Sequence, residues 1–345
     1  METMVEKQVD PSKIMQIGMG FWASKTLITG VNMGLFTLLA KEKLSARDLS
    51  KQLKLHKRSL YDFLDALVAL GFLKRSGLRE TAIYSNSEEA NIFLDKEKPS
   101  YCGGILELAN NRLYPNWNYL EDGLKTGLSY DQLNPESKPL FEDVYSSSEK
   151  LNEFLRAMGG LQMGNFIALS NRFDFSKHNT LCDIGGAGGY LSAQVVMNNN
   201  HMNCISFDLP QVTPVATKNI ESMGLNDKVA TQSGDFFKEE FPNADVITMG
   251  NILHDWGTED KKMLIQKAYD ALPYDGALIV IENIIDDNRS ENAFGLLMSL
   301  NMLIETSEGY DFSKADFEVL AGVIGFKDIS IMHLTGPTSA IIAIK

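Results

Sequence analysis

Three groups of residues in this 345-residue sequence have types and spacings that could do chemistry together. The first is the turn Leu181-Cys182-Asp183-Ile184-Gly185-Gly186-Ala187-Gly188-Gly189, where an apolar run ends on an acid and four glycines. Glycines there free the backbone for positive φ and let amides come close to a ligand. The second is a pair of further acids, each after an apolar run: Asp208 in Phe207-Asp208-Leu209-Pro210 and Asp235 in Gly234-Asp235-Phe236. A carboxylate so placed can accept both hydroxyls of a ribose. Asp235 could accept from an adenine amine while Phe236 packs on the ring. Either acid alone could simply cap a helix or turn, but three at successive strand ends read as a site. The third group is Met249-Gly250-Asn251-Ile252-Leu253-His254-Asp255-Trp256, which sets an imidazole, an acid and an indole side by side.

Such residues need a scaffold that brings them to one edge. From Thr180 onward the pattern alternates strand and helix, as a parallel, doubly wound sheet requires. Strands are expected at Thr180–Ile184, Asn203–Phe207, Lys228–Gln232, Asp245–Met249 and Ala277–Glu282, with helices at Tyr190–Met197, Val212–Met223 and Glu259–Leu272. Two last strands, Phe326–Met332 and Thr338–Ile344, have no helix between them and predict an antiparallel hairpin at the sheet edge. In open α/β sheets the ligand lies at the carboxyl ends of the strands, where all three groups fall.

A dinucleotide would need G-x-G-x-x-G. Counted from Gly186 the last glycine is Leu191, and counted from Gly185 the second is Ala187, so the spacing fails. S-adenosylmethionine has no pyrophosphate and does not need that fingerprint. It needs acceptors for an ammonium and for ribose hydroxyls, and Asp183 and Asp208 suit those needs.

The first hundred residues differ. A helix opening at Ser45 as N-cap, a turn at Lys54–Lys57, a helix over Ser59–Leu70 closed by Gly71 and a two-stranded segment over Phe72–Tyr84 make a helix-turn-helix with a wing. Lys51, Lys54, Lys57, Arg58, Lys74, Arg75 and Arg79 give it a modest basic group. Residues 1–100 carry +3, however, and the whole chain −13, so the remainder repels a phosphate backbone. A docking platform is the better reading, with no nucleic acid as partner. The apolar run Ile14–Ala40 is interrupted by Gln16, Lys25 and Asn32. A lysine at the middle of a bilayer costs a few kcal/mol, so a helix buried between subunits is expected rather than a membrane span. Three cysteines (Cys102, Cys182, Cys204) cannot all pair, and the start METMVEKQVDPSK has no export pattern. Reduced thiols in the cytoplasm are expected.

On the glycine loop, the L-H-D-W segment and their order, the chain resembles the small-molecule O-methyltransferases of the caffeate, hydroxyindole and bacterial natural-product type. The likeness runs over nearly the whole length. It implies an α/β fold: a seven-stranded Rossmann-like methyltransferase domain preceded by an α-helical winged-helix dimerisation domain. The expected divisions are 1–100 for dimerisation, 101–175 for a helical linker and pocket region, and 176–345 for the catalytic domain. Implied cofactor neighbours are Asp183, Gly185, Gly186, Gly188, Asp208, Leu209, Gly234, Asp235, Phe236, Trp256 and Gln162. His254 takes the place of the general base. Glu282, 28 residues later, and Asp311 in Gly309-Tyr310-Asp311-Phe312-Ser313 take the places of acids that orient it. Met158, in Phe154-x-x-x-Met158, falls near the transferred methyl. Met298, Asn301 and Met302, with Glu305 on the same stretch, fall where relatives line an acceptor pocket. The family commonly has a lysine four residues before the histidine, where this chain has Gly250.

The implied reaction is S-adenosylmethionine-dependent methyl transfer to a hydroxyl of a small aromatic metabolite, without a metal. A histidine with its ordinary pKa of about 6.5 can take a phenol's proton as the oxygen attacks. The alternative on the same scaffold is C- or N-methylation, for example of a 2-oxo acid with a metal at the H-D pair. A homodimer formed through the first domain is implied as well, with Phe21 and Trp22 able to reach the partner's pocket.

Overall fold

A computed structural model describes residues 9–345. The segment METMVEKQ, on which the reading of the N-terminus rests, lies outside the described residues. The chain divides into two compact units, one ending at Asn111 and one spanning Arg112–Lys345.

In the first unit the apolar run over 14–40 is not the single buried helix expected of it. It falls into helices Ser12–Gly18, Gly20–Asn32 and Leu35–Lys41. The second break is at Gly34, whose φ of +72° ends one helix and starts the next. Among the described residues no helix is long and apolar enough to cross a membrane. Ser45 caps helix Ala46–Gln52 by accepting from the Asp48 amide at 3.1 Å. Helix Leu60–Ala69 closes at Gly71 (φ +85°), with the Gly71 and Phe72 amides donating to the Val68 and Leu67 carbonyls. Three short strands, β1 (Leu44–Ser45), β2 (Leu73–Ser76) and β3 (Ile83–Asn86), form an antiparallel sheet in the order β1-β3-β2. Leu35, Phe36, Leu49, Leu64, Leu67 and Tyr84 are fully buried between these helices and strands. Phe21 and Trp22 lie exposed on the single chain.

The second unit is built on seven strands: β4 (Thr180–Ile184), β5 (Asn203–Asp208), β6 (Val229–Ser233), β7 (Val246–Gly250), β8 (Ala277–Glu282), β9 (Lys327–His333) and β10 (Ser339–Ile344). Their order is β6-β5-β4-β7-β8-β10-β9. The first five run parallel, β10 lies antiparallel to β8, and β9 pairs with β10 at the edge as the expected hairpin. Each strand lies within about a residue of its sequence expectation, and the parallel strands do so because their runs end sharply on glycine, asparagine or acid. Every residue of β8 is buried, as befits a strand covered on both faces. The helices Tyr190–Asn198, Thr213–Ser222 and Thr258–Ala271 connect the parallel strands.

Before the sheet runs the 25-residue helix Ser148–Arg172, capped by Ser147, which accepts from the Lys150 amide at 3.2 Å. It packs on helix Tyr190–Asn198, so one of its faces reaches the carboxyl ends of the strands. The fully buried Ile279, at the middle of β8, reports on this core. Ile279→Ala is expected to cost about 2–5 kcal/mol, seen as a lower urea midpoint at unchanged m-value.

Candidate active site

The turn after β4 is held by its own amides. Gly185 N–H and Gly186 N–H both donate to the Phe207 carbonyl, at 2.9 and 3.1 Å, and Ala187 N–H donates to Asp208 Oδ2 at 2.8 Å. Those three amides tie β4 to β5 and are not aimed at a ligand, contrary to the expectation from the glycines. What the glycines supply is room. A Cβ on Gly185 would stand 2.3 Å from Ile252 Cδ1, one on Gly186 2.3 Å from Ser206 Oγ, and Gly185 holds φ at +69°. Gly189, also at positive φ, caps helix Tyr190–Asn198.

A single cleft over these strand ends gathers most of the expected cofactor residues. Asp183, Gly185, Gly186, Gly188, Asp208 and Leu209 form its floor. Asp235, Phe236, Trp256, Gln162 and Met158 form its sides. Gly234 is not among the lining residues. Its amide donates to the Asp208 carbonyl at 2.9 Å, and a Cβ there would meet the Phe207 ring at 2.3 Å, so it spaces the layer beneath. Phe141, Tyr145, Phe154 and Phe237 complete an aromatic wall that sequence reading missed. Phe141 stacks on Trp256 at 5.9 Å and Phe237 meets its edge at 4.6 Å. The available signal was the Phe141-x-x-x-Tyr145 spacing, which puts both rings on one helical face.

The acids in the cleft differ electrostatically. Burial pushes Asp183 up to about 7, against the hydroxyl of Thr248 donating to it at 2.7 Å and with the charge of Asp208 adding to the rise. Burial raises Asp208 to about 6, although it accepts from the amides of Ala187 and Leu209. Lys238, 2.7 Å away, holds Asp235 below the usual carboxylate range. Gly250 faces the cleft with space beside it, the nearest atom standing 3.9 Å from a Cβ built there.

The expected catalytic residues form a second group that does not line this cleft. Past β7 the chain turns at Asn251 (φ +52°) into the short turn Leu253–Asp255, which buries His254 at 5% exposure. Nδ1 of His254 lies 3.3 Å from Glu282 Oε2 and 3.5 Å from Asp311 Oδ1, and Nε2 lies 3.5 Å from Asp255 Oδ1. The backbone N–H of His254 donates to Glu282 Oε1 at 3.3 Å. Asp255 belongs to both groups, because it also lines the cleft. Burial alone would lower the imidazole pKa, but the charges of Glu282, Asp255 and Asp311 reverse this and raise it to about 10. Burial lifts Glu282 to about 7 and Asp255 to about 6, each opposed by His254.

The helix Ala293–Glu305 stands behind Asp311 rather than beside the cleft. Ser299 Oγ accepts from the Asp311 amide at 3.2 Å. Asn301 Oδ1 accepts from the Trp117 indole at 2.8 Å, and Glu305 accepts from Asn116 at 2.8 Å and pairs with Arg112 at 2.5 Å. Those two side chains, expected to be free for an acceptor, are held by protein partners. Met302 is buried and Met298 half-buried; neither lines the cleft.

Residues 117–327 match the O-methyltransferase domain family. The chain belongs to that family. Residues 15–96 match the O-methyltransferase dimerisation domain. TcmO of Streptomyces glaucescens, described as a tetracenomycin polyketide synthesis 8-O-methyl transferase, is 36% identical over 335 residues, 97% of either chain. Acetylserotonin O-methyltransferase of Gallus gallus is 31% identical over 325 residues, 93% of either chain. The crystal structure of human N-acetylserotonin methyltransferase in complex with SAM superposes with a TM-score of 0.90 at 26% identity, covering 99% of both chains. This O-methyltransferase uses S-adenosylmethionine. The cleft fits that cofactor. It offers acidic acceptors on a floor with no room for further side chains, and the buried Trp256 Nε1 in its wall has no partner among the described residues.

The raised Asp183 has a consequence for stability. A carboxyl whose folded pKa lies above its unfolded value contributes fully below about 3.8 and loses that contribution as pH rises through about 7. The unfolding temperature of the cofactor-free enzyme should therefore fall more steeply between pH 5 and 8 than that of Asp183→Asn. Thermal melts at stepped pH measure the difference.

Proposed function

We propose that this O-methyltransferase methylates a hydroxyl of a small aromatic metabolite, with His254 as general base. The observation that carries the reading is the placement of Nδ1 between Glu282 and Asp311. With two carboxylates facing Nδ1 across 3.3 and 3.5 Å, the proton is favoured on that edge and Nε2 is the edge that would take a proton, as an acid favours one tautomer of a catalytic imidazole. When bound, S-adenosylmethionine supplies an electrophilic methyl on a sulfonium, so the protein's task is to place the acceptor oxygen in line and remove its proton. Placement can be worth about 7–11 kcal/mol. The base typically adds about 10²–10⁴-fold.

The remaining roles follow the cleft. Asp183 receives the ammonium of the cofactor, Asp208 its ribose hydroxyls, and Asp235, Phe236 and Trp256 its adenine, with Leu209 beneath. Met158 and Gln162, on the long helix, stand toward the transferred methyl, and Met298 and Met302 back the acceptor side. Residues 1–100 make the homodimer, where a partner chain covers Phe21 and Trp22. Residues 101–175 link and line the pocket, and 176–345 bind the cofactor. Nucleic acid has no part in this scheme. The unpaired cysteines agree with a reducing, cytoplasmic setting.

One observation favours a second reading. Donor atoms of His254, Glu282 and Asp311 lie within 4.8 Å of one another, close enough to share a divalent cation. Metal-assisted C- or N-methylation of a 2-oxo acid would then replace the base mechanism. Labelled S-adenosylmethionine offered with phenols, indoles and 2-oxo acids, with and without a chelator, separates the two, since the base mechanism is indifferent to chelation.

His254→Ala should lower turnover at least ~100-fold, with cofactor affinity near that of the unaltered protein by calorimetry. Asp208→Ala should do the reverse, weakening cofactor binding before it slows transfer. Loss of both properties together in His254→Ala would make the histidine a structural residue.

A further inference from the structure

The cleft over the strand ends is lined by Asp183, Asp208, Asp235 and Asp255 and, among the described residues, by no lysine, arginine or histidine. S-adenosylmethionine brings two cationic groups, its ammonium and its sulfonium, and one anionic group, the carboxylate of its amino-acid end. Acidic walls suit the cations and repel the carboxylate, so neutral hydrogen-bond donors must receive it. The amides of Gly185, Gly186 and Ala187 already donate to the Phe207 carbonyl and to Asp208. Gln162 supplies a donor that is built into the fold. It is 5% exposed and still lines the cleft.

The orientation of its amide follows from a backbone group beyond its neighbour. Thr335 N–H, which can only donate, meets Asn165 Oδ1 at 3.2 Å, and the Thr335 hydroxyl donates to the same oxygen. The oxygen of Asn165 is therefore the end that faces Thr335, and Nδ2 is left to donate to Gln162 Oε1 at 2.9 Å. With Oε1 taken, Gln162 keeps Nε2 for the cleft, and that nitrogen has no hydrogen-bond partner among the described residues. The turn that carries Thr335 is itself held. It joins β9 to β10, and its Thr338 amide donates to the Thr335 carbonyl at 3.0 Å. Arg172, at the end of the long helix, donates to the carbonyls of His333 and Leu334 at 2.8 and 3.1 Å. Asn165 is buried, so water does not compete for its bonds.

Two close approaches locate Gln162 along the cleft. Three residues before it, a Cβ on Gly159 would stand 2.8 Å from the ring of Tyr190, the residue after the glycine turn. Four residues after it, Phe166 comes 4.0 Å from a Cβ built on Gly250 at the end of β7. Gln162 thus lies between the tips of β4 and β7, neighbours in the sheet, beside the strand that carries Asp183. We propose that Gln162 Nε2 donates to the α-carboxylate of S-adenosylmethionine, and that Asn165, anchored by Thr335, is a positioning residue that fixes this donor. The proposal rests on the placement of the cofactor ammonium at Asp183, because ammonium and carboxylate are borne by one carbon. The relay turns residue 162, whose amide could face either way, into a donor in a wall of acceptors.

Calorimetry with two ligands tests this: S-adenosylhomocysteine, and its decarboxylated analogue, which keeps the ammonium and the nucleoside. The unaltered protein should bind the first at least about 10-fold more tightly, the contribution of a hydrogen bond to a charged group. Gln162→Leu should remove most of that preference. Asn165→Leu should reduce it at least about threefold by freeing the amide to rotate. The double variant should match Gln162→Leu within about twofold, since Asn165 acts through Gln162. A side chain that merely tied helix to hairpin would weaken both ligands alike. No preference in the unaltered protein, an undiminished one in folded Asn165→Leu, or a further fall in the double variant overturns the proposal. If Asn165→Leu does not fold, the isosteric Asn165→Asp decides: it still accepts from Thr335 but no longer donates to Gln162, and an unreduced preference overturns the proposal. A deaminated analogue, which keeps the carboxylate, tests the Asp183 placement by itself. Its weaker binding should persist in Gln162→Leu and level out in Asp183→Asn; a deficit that survives in Asp183→Asn overturns that placement, whatever the carboxylate preference shows.

Discussion

An imidazole buried among three carboxylates can exist only if the chain supplies enough bonds and counter-charge to offset several kcal/mol of lost hydration per ion. That constraint organises the catalytic half of this O-methyltransferase. Glu282 is the last residue of β8, and β7 and β8 are parallel neighbours. Gly250 at the end of β7 pairs with Ile281, so Glu282 lies level with the start of the turn that carries His254, whose backbone amide donates to it. Asp311 comes from farther along, and its amide is held by Ser299 on helix Ala293–Glu305. That helix is in turn tied down by Glu305 to Arg112 and Asn116. Polar contacts thus run from outside the sheet to the backbone of Asp311, whose carboxylate faces the histidine at 3.5 Å. Such contacts are worth far more together than apart, since removing one partner strands a buried charge.

The cofactor cleft obeys a different rule. Three amides of its glycine turn, those of Gly185, Gly186 and Ala187, are used within the protein, at the Phe207 carbonyl and the Asp208 carboxylate. A cradle of free amides would favour a pyrophosphate. A floor of carboxylates walled by Phe141, Phe237 and Trp256 favours an ammonium, a diol and a flat base. Failure of the dinucleotide fingerprint in the sequence and use of the turn amides in the structure express the same preference.

Strands and the acids at their ends were legible because they are local. An apolar run stopped by glycine or aspartate fixes both the element and the tip, and Asp183, Asp208 and Asp235 needed nothing more. The reading weakened where tertiary packing decides. The apolar run over 14–40 looked continuous because hydropathy does not register the left-handed turn at Gly34. Asn301 and Glu305 looked available because sequence does not reveal that Trp117, Asn116 and Arg112 bind them. Phe141 and Tyr145 become cleft residues only through the fold of the segment before the long helix.

The two groups of residues meet at Asp255. Its carboxylate lines the cofactor cleft and also stands 3.5 Å from Nε2 of His254, while Nδ1 on the opposite edge of the ring faces Glu282 and Asp311 at 3.3 and 3.5 Å. The imidazole thus lies between carboxylates along its own long axis, with Glu282 and Asp311 behind it and the cleft's acid in front. The short turn Leu253–Asp255 achieves this in three residues by burying Leu253 and His254 and turning Asp255 toward the cleft. On the proposed reading, proton transfer and cofactor recognition lie on two sides of one carboxylate, so a change at either side alters the electrostatic field at the other.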